Sequence, residues 1–327
     1  MNITDLLSLP PRDRGGYEFH SHTCFSDGDP DHTPDVLCRR AVEANLNYLS
    51  ITDHNYMIPE AMRLALCARY AQHGLDVVSG CEVHSLWHDE VTRTEWVIHH
   101  GRHYGTADDP EIKDVLAVNQ AQDFEGYVKE QLHRLRKYCG VDPSHEGVDR
   151  SFEMIRADNP NAHELGKRCI IQLLIKTGYA SSRDEARAKY WDGDGRHRGP
   201  AYVPAGDFLR FAPFEQVMHA TTRNSLSTLN HPYYYRMPDE VLHRLYRDFT
   251  GMGGDAVEVF YPFYNANQQR MLMQHCVEYG LLPNGGSDTH DLTKPLHRVP
   301  EEALILLQRR LLERNGTLTG GRILVNG

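Results

Sequence analysis

The sequence predicts an α/β fold, a distorted barrel interrupted by a helical insertion. Three observations predict it. Over the first ninety residues, short apolar runs alternate with helix-period segments. That rhythm stops at about residue 105, where helical segments take over, and returns after about residue 205. The repeated strand–helix–strand order is the pattern of a parallel sheet or barrel. A length of 327 residues exceeds what one hydrophobic core usually fills. The expected organisation is therefore one domain built from 1–104 and 206–327, with 105–205 as the insertion.

Tyr17 to His22 reads as the first strand. Thr33-Pro34-Asp35 is a helix start, with a capping hydroxyl, proline at the first helical position and an acid in the first turn; the helix runs to Asn45. Tyr48 to Thr52 is a second strand, Glu60 to Gln72 a helix stopped by Gly74, and Asp76 to Val83 a third strand. Trp96 to His100 is a fourth. Glu111 to Tyr138 is mostly helical, with Phe124, Tyr127, Val128, Leu132, Leu135 and Tyr138 at helix spacing. Further helices are expected from Cys169 to Lys176 and from Ser182 to Tyr190, before a loop at 191–195. Beyond the insertion come a helix at 213–220, a strand at 226–230, a helix at 239–249, a strand at 256–260, a helix at 265–279 and a last strand at 282–287.

Composition excludes several classes. There is no run of about eighteen apolar residues, so no membrane span is expected, and the N-terminus lacks the basic start and apolar run of a signal peptide. Seven scattered cysteines without a C-x-x-C fit reduced thiols and a cytoplasmic location. Acidic residues outnumber basic ones, 45 to 35, for a net charge of −10, which argues against a partner made of long nucleic acid. Twenty histidines in such a chain ask for metal, because histidine is the commonest metal ligand.

The histidines and acids gather where apolar runs end. His20-Ser21-His22 closes the first strand, and residues two apart on a strand point to the same side. Asp27 follows on a turn able to fold back. The second strand ends in Asp53-His54, the third in Glu82-Val83-His84, the fourth in His99-His100, and the later runs in Asn230-His231 and Ser287-Asp288-Thr289-His290-Asp291. In parallel α/β barrels the strand ends are where active sites lie.

The segments HSHTCFSDG, ITDHN, GCEVH, LNHP and GGSDTHD, in that order, resemble the polymerase and histidinol phosphatase (PHP) family of metal-dependent phosphoesterases. The resemblance implies a distorted (β/α)7 barrel, the PHP barrel, and a cluster of up to three divalent transition ions: manganese, zinc or iron. It implies as ligands His20, His22, Asp27, His54, Glu82, one of the 99–100 pair with His99 favoured, His231, Asp288 and His290, with Glu82 bridging two ions. The insertion resembles that of a small-molecule phosphatase subgroup. There Gly166-Lys167-Arg168-Cys169 opens a helix, and Lys167 and Arg168 are candidate phosphate contacts, although Cys169 stands where the subgroup carries a histidine.

The implied activity is hydrolysis of a small phosphorylated metabolite or nucleotide by attack of a metal-bridged hydroxide, without a covalent intermediate. The candidate catalytic residues are His231, His100 and Asp53; His99 and His290 are further possible proton donors. Asp53 and Asp291 flank ligand histidines, where a carboxylate can accept the second ring N–H. Two alternatives stand beside this one. Relatives of the barrel trim nucleic acids, so short oligonucleotides are a second substrate class, and Tyr233, Tyr234 and Tyr235 beside His231 could stack on a base. The third is a non-catalytic, metal-stabilised interaction module. The expected partner is a small-molecule phosphate ester, with neither membrane nor long nucleic acid involved.

Overall fold

The computed structural model describes residues 3–9, 15–192 and 198–324. The core is a mixed α/β arrangement of two sheets. Parallel strands β1 (Tyr17–Glu18), β2 (Tyr48–Ser50) and β3 (Asp76–Val78) form the first, with helices α1 (Pro34–Glu43) and α2 (Glu60–Tyr70) as crossovers. Helix α1 starts as the sequence predicts: the Thr33 hydroxyl accepts from the Val36 amide, and Pro34 is the first helical residue. The apolar sides of α1 and α2, through Leu37, Ala41 and Leu66, pack on Leu49, Ile51 and Val77.

The third predicted strand is in fact two. It breaks at Ser79, and β4 (Gly80–Asp89) enters a second sheet. Glycine is needed at the crossing, because a Cβ on residue 80 would stand 1.9 Å from Ser50 Oγ. Strand β4 then forms a long antiparallel hairpin with β5 (Thr94–His103), where a parallel βα rhythm had been expected. Asp89 closes its turn, accepting from the Val91 and Thr92 amides and from both Arg244 donors.

After β5 come α3 (Pro110–Gln120), α4 (Phe124–Cys139), α5 (Val148–Asp158), α6 (Lys167–Lys176) and α7 (Arg183–Arg187), the last continuing as a π-helical turn, Ala188–Asp192. The single helix expected over 111–138 is divided at Ala121–Asp123, where the Asp123 carboxylate caps α4 through the Gly126 amide. Helix α5 went unread in the sequence. The loop predicted at 191–195 lies, from 193 on, outside the described residues. Within the insertion, Val128, Leu132, Leu135, Ile155, Ile170, Leu174 and Trp191 make a core of their own. Helix α3 instead joins Cys81, Val83 and Val217 of the main body.

The chain returns through α8 (Phe214–Thr222), β6 (Leu226–Leu229), α9 (Asp239–Gly251), β7 (Ala256–Phe260), α10 (Ala266–Tyr279), β8 (Leu282–Gly285) and α11 (Glu301–Asn315), the last also unread in the sequence. The second sheet has the order β4-β5-β6-β7-β8, antiparallel across β5 and β6 and parallel from β6 to β8. Among the described residues the ladders do not close into one barrel. The sheets meet through isolated pairings, Ser21 with Thr289 and His54 with Glu82, and through single backbone bonds such as the Phe19 amide to the Gly285 carbonyl. At these junctions Ser21, His54 and Thr289 lie outside the regular strands, while Glu82 lies within β4. No described helix is long and apolar enough to cross a membrane, and all seven cysteines are free.

Candidate metal centre

The two junctions and the strand ends around them bring the histidines and acids together. Glu82, fully buried on β4, is the hub. Its Oε1 lies 3.2 Å from His20 Nε2, 3.3 Å from His231 Nε2 and 3.5 Å from His99 Nδ1; its Oε2 lies 2.9 Å from His54 Nδ1 and 3.7 Å from His22 Nε2. Asp288 Oδ1 stands 3.3 Å from His22 Nε2 and 3.6 Å from His20 Nε2. Asp27 Oδ1 stands 3.0 Å from His290 Nε2 and 3.4 Å from His54 Nε2. All nine residues expected as ligands therefore lie in one cluster.

Local structure explains each position. His20 and His22 leave β1 two residues apart and face the same side. The 23–28 turn folds Asp27 back over them: Gly28 and Ser26 both donate to the Thr23 carbonyl, and a Cβ on Gly28 would lie 2.4 Å from that oxygen. His231 and Asp288 hold positive φ angles of 26° and 50°, strained values for residues with a side chain. Glu258 Oε2 holds His231 by its amide at 2.8 Å, and Tyr261 donates to Asp288 Oδ2 at 2.9 Å.

The electrostatics are set by this crowding. Burial alone would raise the Glu82 carboxyl, but His20 and His99 outweigh it and hold it well below the usual carboxylate range. Burial opposes a charged His20, yet Glu258, Glu82 and Asp288 raise it well above an ordinary histidine. His22 goes the other way, lowered by burial and by His290 and His54.

The residues fit divalent ions. His20 Nε2, both nitrogens of His22, Asp27 Oδ1, Glu82 Oε2 and His99 Nδ1 are buried without a hydrogen bond. Orphaned polar atoms of this density are costly unless something binds them. They form four overlapping sets, each with ligand atoms within 4.8 Å of one another: His22, Asp27, His54 and His290; His20, His22 and Asp288; His20, Glu82 and His231; and His54, Glu82, His84 and His99. Mixed imidazole and carboxylate donors suit first-row transition ions.

Residues 18–164 match the family pattern described as the PHP domain. The match and the relatives support the PHP family for this chain. The chain is 27% identical over 278 residues to the 5'-3' exoribonuclease Rnm of Salmonella typhimurium, covering 84% of the chain and 85% of the relative. It is 25% identical over 280 residues to a 3',5'-nucleoside bisphosphate phosphatase of Chromobacterium violaceum, covering 84% and 86%. Its fold matches the structure of an amidohydrolase from Chromobacterium violaceum with bound sulfate and no metal, at a TM-score of 0.70 and 20% identity, over 90% of the chain and 96% of that structure.

Some expected site residues lie elsewhere. His99 faces Glu82, but its neighbour His100 points to the opposite side of β5. There it is fully buried against Phe214 and Phe249 and bonded to Ser85 Oγ at 2.7 Å, and burial lowers it to about 3. The structure therefore does not bring His100 to the cluster; strand alternation sends it away. Among the described residues, Asp53 receives no histidine N–H. It accepts from the Thr23 amide and hydroxyl and from the Ser26 hydroxyl, so it shapes the turn that presents Asp27. Asp291 likewise accepts from Thr293 and Arg183. Arg168 does reach the mouth, its Nε 3.4 Å from Asp27 Oδ2. Lys167, beside it, has no ion pair among the described residues, and burial and Arg187 lower it to about 8. Of the three tyrosines, Tyr235 is held inside by the His99 and Asn230 backbones, Tyr233 packs on Tyr264, and only Tyr234 is exposed, 5.2 Å from the His231 ring.

Four residues at the site are given no role by the sequence. Glu258, in the apolar run AVEVF, accepts from His20 Nδ1 at 2.9 Å; an acid inside an otherwise apolar strand was its signal. His84, two residues after Glu82 on β4, lies 3.1 Å from His54 Nδ1 and faces His99 across the hairpin. Asn230 donates to Glu82 Oε1 at 2.8 Å. Glu164, from the insertion, accepts from Asn55 at 3.0 Å, and burial raises it to about 7. Nothing in the sequence marked Glu164, because only the folded insertion carries it to the mouth.

Proposed function

We propose that this chain is a metal-dependent phosphoesterase that hydrolyses a small phosphorylated metabolite or nucleotide, with 105–205 serving as a substrate cap. The observation that carries the proposal is the overlap of the ligand sets, in which His20, His22, His54 and Glu82 each belong to two, with buried, unbonded atoms on His20, His22 and Glu82. Such sharing is what closely spaced ions require. His20, His22, Asp27, His54, Glu82, His99, His231, Asp288 and His290 would hold up to three ions, manganese, zinc or iron. When bound, such ions offset phosphate charge and make water a usable nucleophile near neutral pH.

The chain's own groups do the rest. Glu258 fixes the His20 ring through Nδ1, leaving Nε2 toward the cluster. Arg168 stands at the mouth with donors free to share between Asp27 and a phosphate oxygen. Lys167 adds a second cation beside it. His231 lies beside the exposed Tyr234 and, where its Nε2 is not taken by an ion, is the proposed proton donor to the leaving oxygen. No covalent phosphoenzyme is expected.

The test is phosphate release from a panel of monoesters, bisphosphates and cyclic phosphates by metal-stripped protein reloaded separately with manganese, zinc and iron. Turnover on at least one class, lost with chelator and restored by metal, is expected. A correctly folded, metal-loaded protein inert on every ester would promote the non-catalytic module instead. A trapped phosphorylated side chain in a rapid quench would overturn direct hydrolysis. The likeness to an exoribonuclease over 84% of the chain favours a second reading, trimming of short RNA. Stepwise release of mononucleotides from an end-labelled RNA oligomer, faster than phosphate release from any monoester or bisphosphate, would decide for it.

A further inference from the structure

A second cluster of ligating side chains lies on the outer helices and shares no residue with the first. His243 on α9 and His275 on α10 face each other, ring centroids 4.9 Å apart and nearly perpendicular. Glu278 follows His275 by three residues, hence on the same face of α10. One donor atom from each of the three lies within 4.8 Å of the other two. His275 Nδ1 is buried without a hydrogen bond and stands 3.7 Å from Glu278 Oε2, beyond bonding distance. The Tyr279 hydroxyl engages His243 Nδ1 at 2.6 Å, which orients that ring, and the Tyr246 ring packs on His275.

We infer that His243, His275 and Glu278 form a separate site for one zinc-class divalent transition ion, which ties α9 to α10. Two imidazoles and a carboxylate are the donor types such ions favour, and Glu278 leaves the site open to solvent, so water can complete four-coordination. A partner at the ring nitrogen that does not bind metal, here Tyr279 on His243, is the usual support for a ligating histidine. The role is structural. Helix α9 leads into β7 and α10 leaves it, and β7 carries Glu258, which holds His20 and His231. An ion bridging the two helices braces the strand behind the catalytic cluster without touching it.

The test compares the full-length wild type with His275→Ala and Glu278→Gln, each equilibrated against buffered free zinc and assayed for bound metal. Both variants are expected to hold one equivalent less per chain while retaining phosphate-ester turnover. A zinc-dependent rise in Tm beyond that produced by filling the strand-end cluster is expected in the wild type and lost in both. Glu278→Gln changes a half-exposed side chain and keeps the measurement possible if His275→Ala does not fold. Equal metal content in the wild type and the folded variants overturns the site. Because the readout is a difference in stoichiometry, it stands or falls apart from whether the first cluster is catalytic.

Discussion

In the strand-end cluster nine ligand-type side chains are packed together, several with ring or carboxylate atoms that are buried and unbonded. In the insertion that touches it, the buried side chains are almost all apolar: Leu132, Leu135, Ile170, Leu173 and Leu174 pack on Phe152 and Trp191, and the Trp191 indole donates to Gln131. One region is stabilised by what leaves water, and the other holds groups that suffer by leaving it. Stability and chemistry are thus separated in space. Yet the two regions are joined by polar contacts at their border. Arg183 bridges Asp29 and Asp291, Gln172 also donates to Asp29, and the His163 amide donates to the Phe25 carbonyl. All of these fall on the loops that carry Asp27 and His290.

The sharpest way to break this division is Asp288→Ala, which removes an acceptor shared by His20 and His22. Turnover should fall at least about a thousandfold, roughly 4 kcal/mol of transition-state stabilisation, in steady-state kinetics, while circular dichroism keeps the native spectrum. Activity within tenfold of wild type would remove Asp288 from the site. The converse experiment is Ile170→Ala, in the fully buried core of the insertion. It should cost about 2–5 kcal/mol in denaturant unfolding and leave kcat nearly unchanged where the protein is folded. A collapse of kcat in the folded variant would show that the insertion takes part in the chemistry.

Smaller effects probe the border. Arg168→Ala should lower kcat/KM for a phosphate ester by about 10–100-fold, the worth of a charged hydrogen bond, with partial recovery in Arg168→Lys. An unchanged value would return Arg168 to a partner of Asp27 alone. The smallest effect concerns Lys167. Its value, near 8 against 10.5 for a free lysine, means the folded chain gives up this proton earlier than the unfolded one. Between those values the unfolded state binds more protons, so this group makes stability rise with pH across that window. Phosphate binding needs the charged form, so KM should climb as pH passes upward through 8. Lys167→Gln should flatten that climb, and an identical profile in the variant would assign it to another group.

Much of the site was legible because a ligand residue at the end of an apolar run is visible without a structure. His20 and His22 needed only strand alternation, and Asp27 a turn after them. His99 and His100 could not be separated in the same way, since an isolated pair does not state which face is inward. Their assignment came from pairing with β4, where His99 lies opposite His84 and His100 opposite Val83. Asp53 differs for a related reason: its place beside His54 suggests a bond to a ring, whereas the folded turn offers it three nearer donors. The hairpin of β4 and β5 was hidden because an apolar strand reads alike whether its partner is parallel or antiparallel.

By itself, the sequence determined much of the alternation of strands and helices and the residue types able to hold metal. These are local properties of chemistry and spacing. Only the tertiary structure decided that two sheets share the strands, that Glu82 is the hub, and that Glu258, His84 and Glu164 stand at the centre. The reason is that those outcomes depend on contacts between segments far apart in the chain, and the free energy of such contacts is set by which faces are buried together rather than by any one segment.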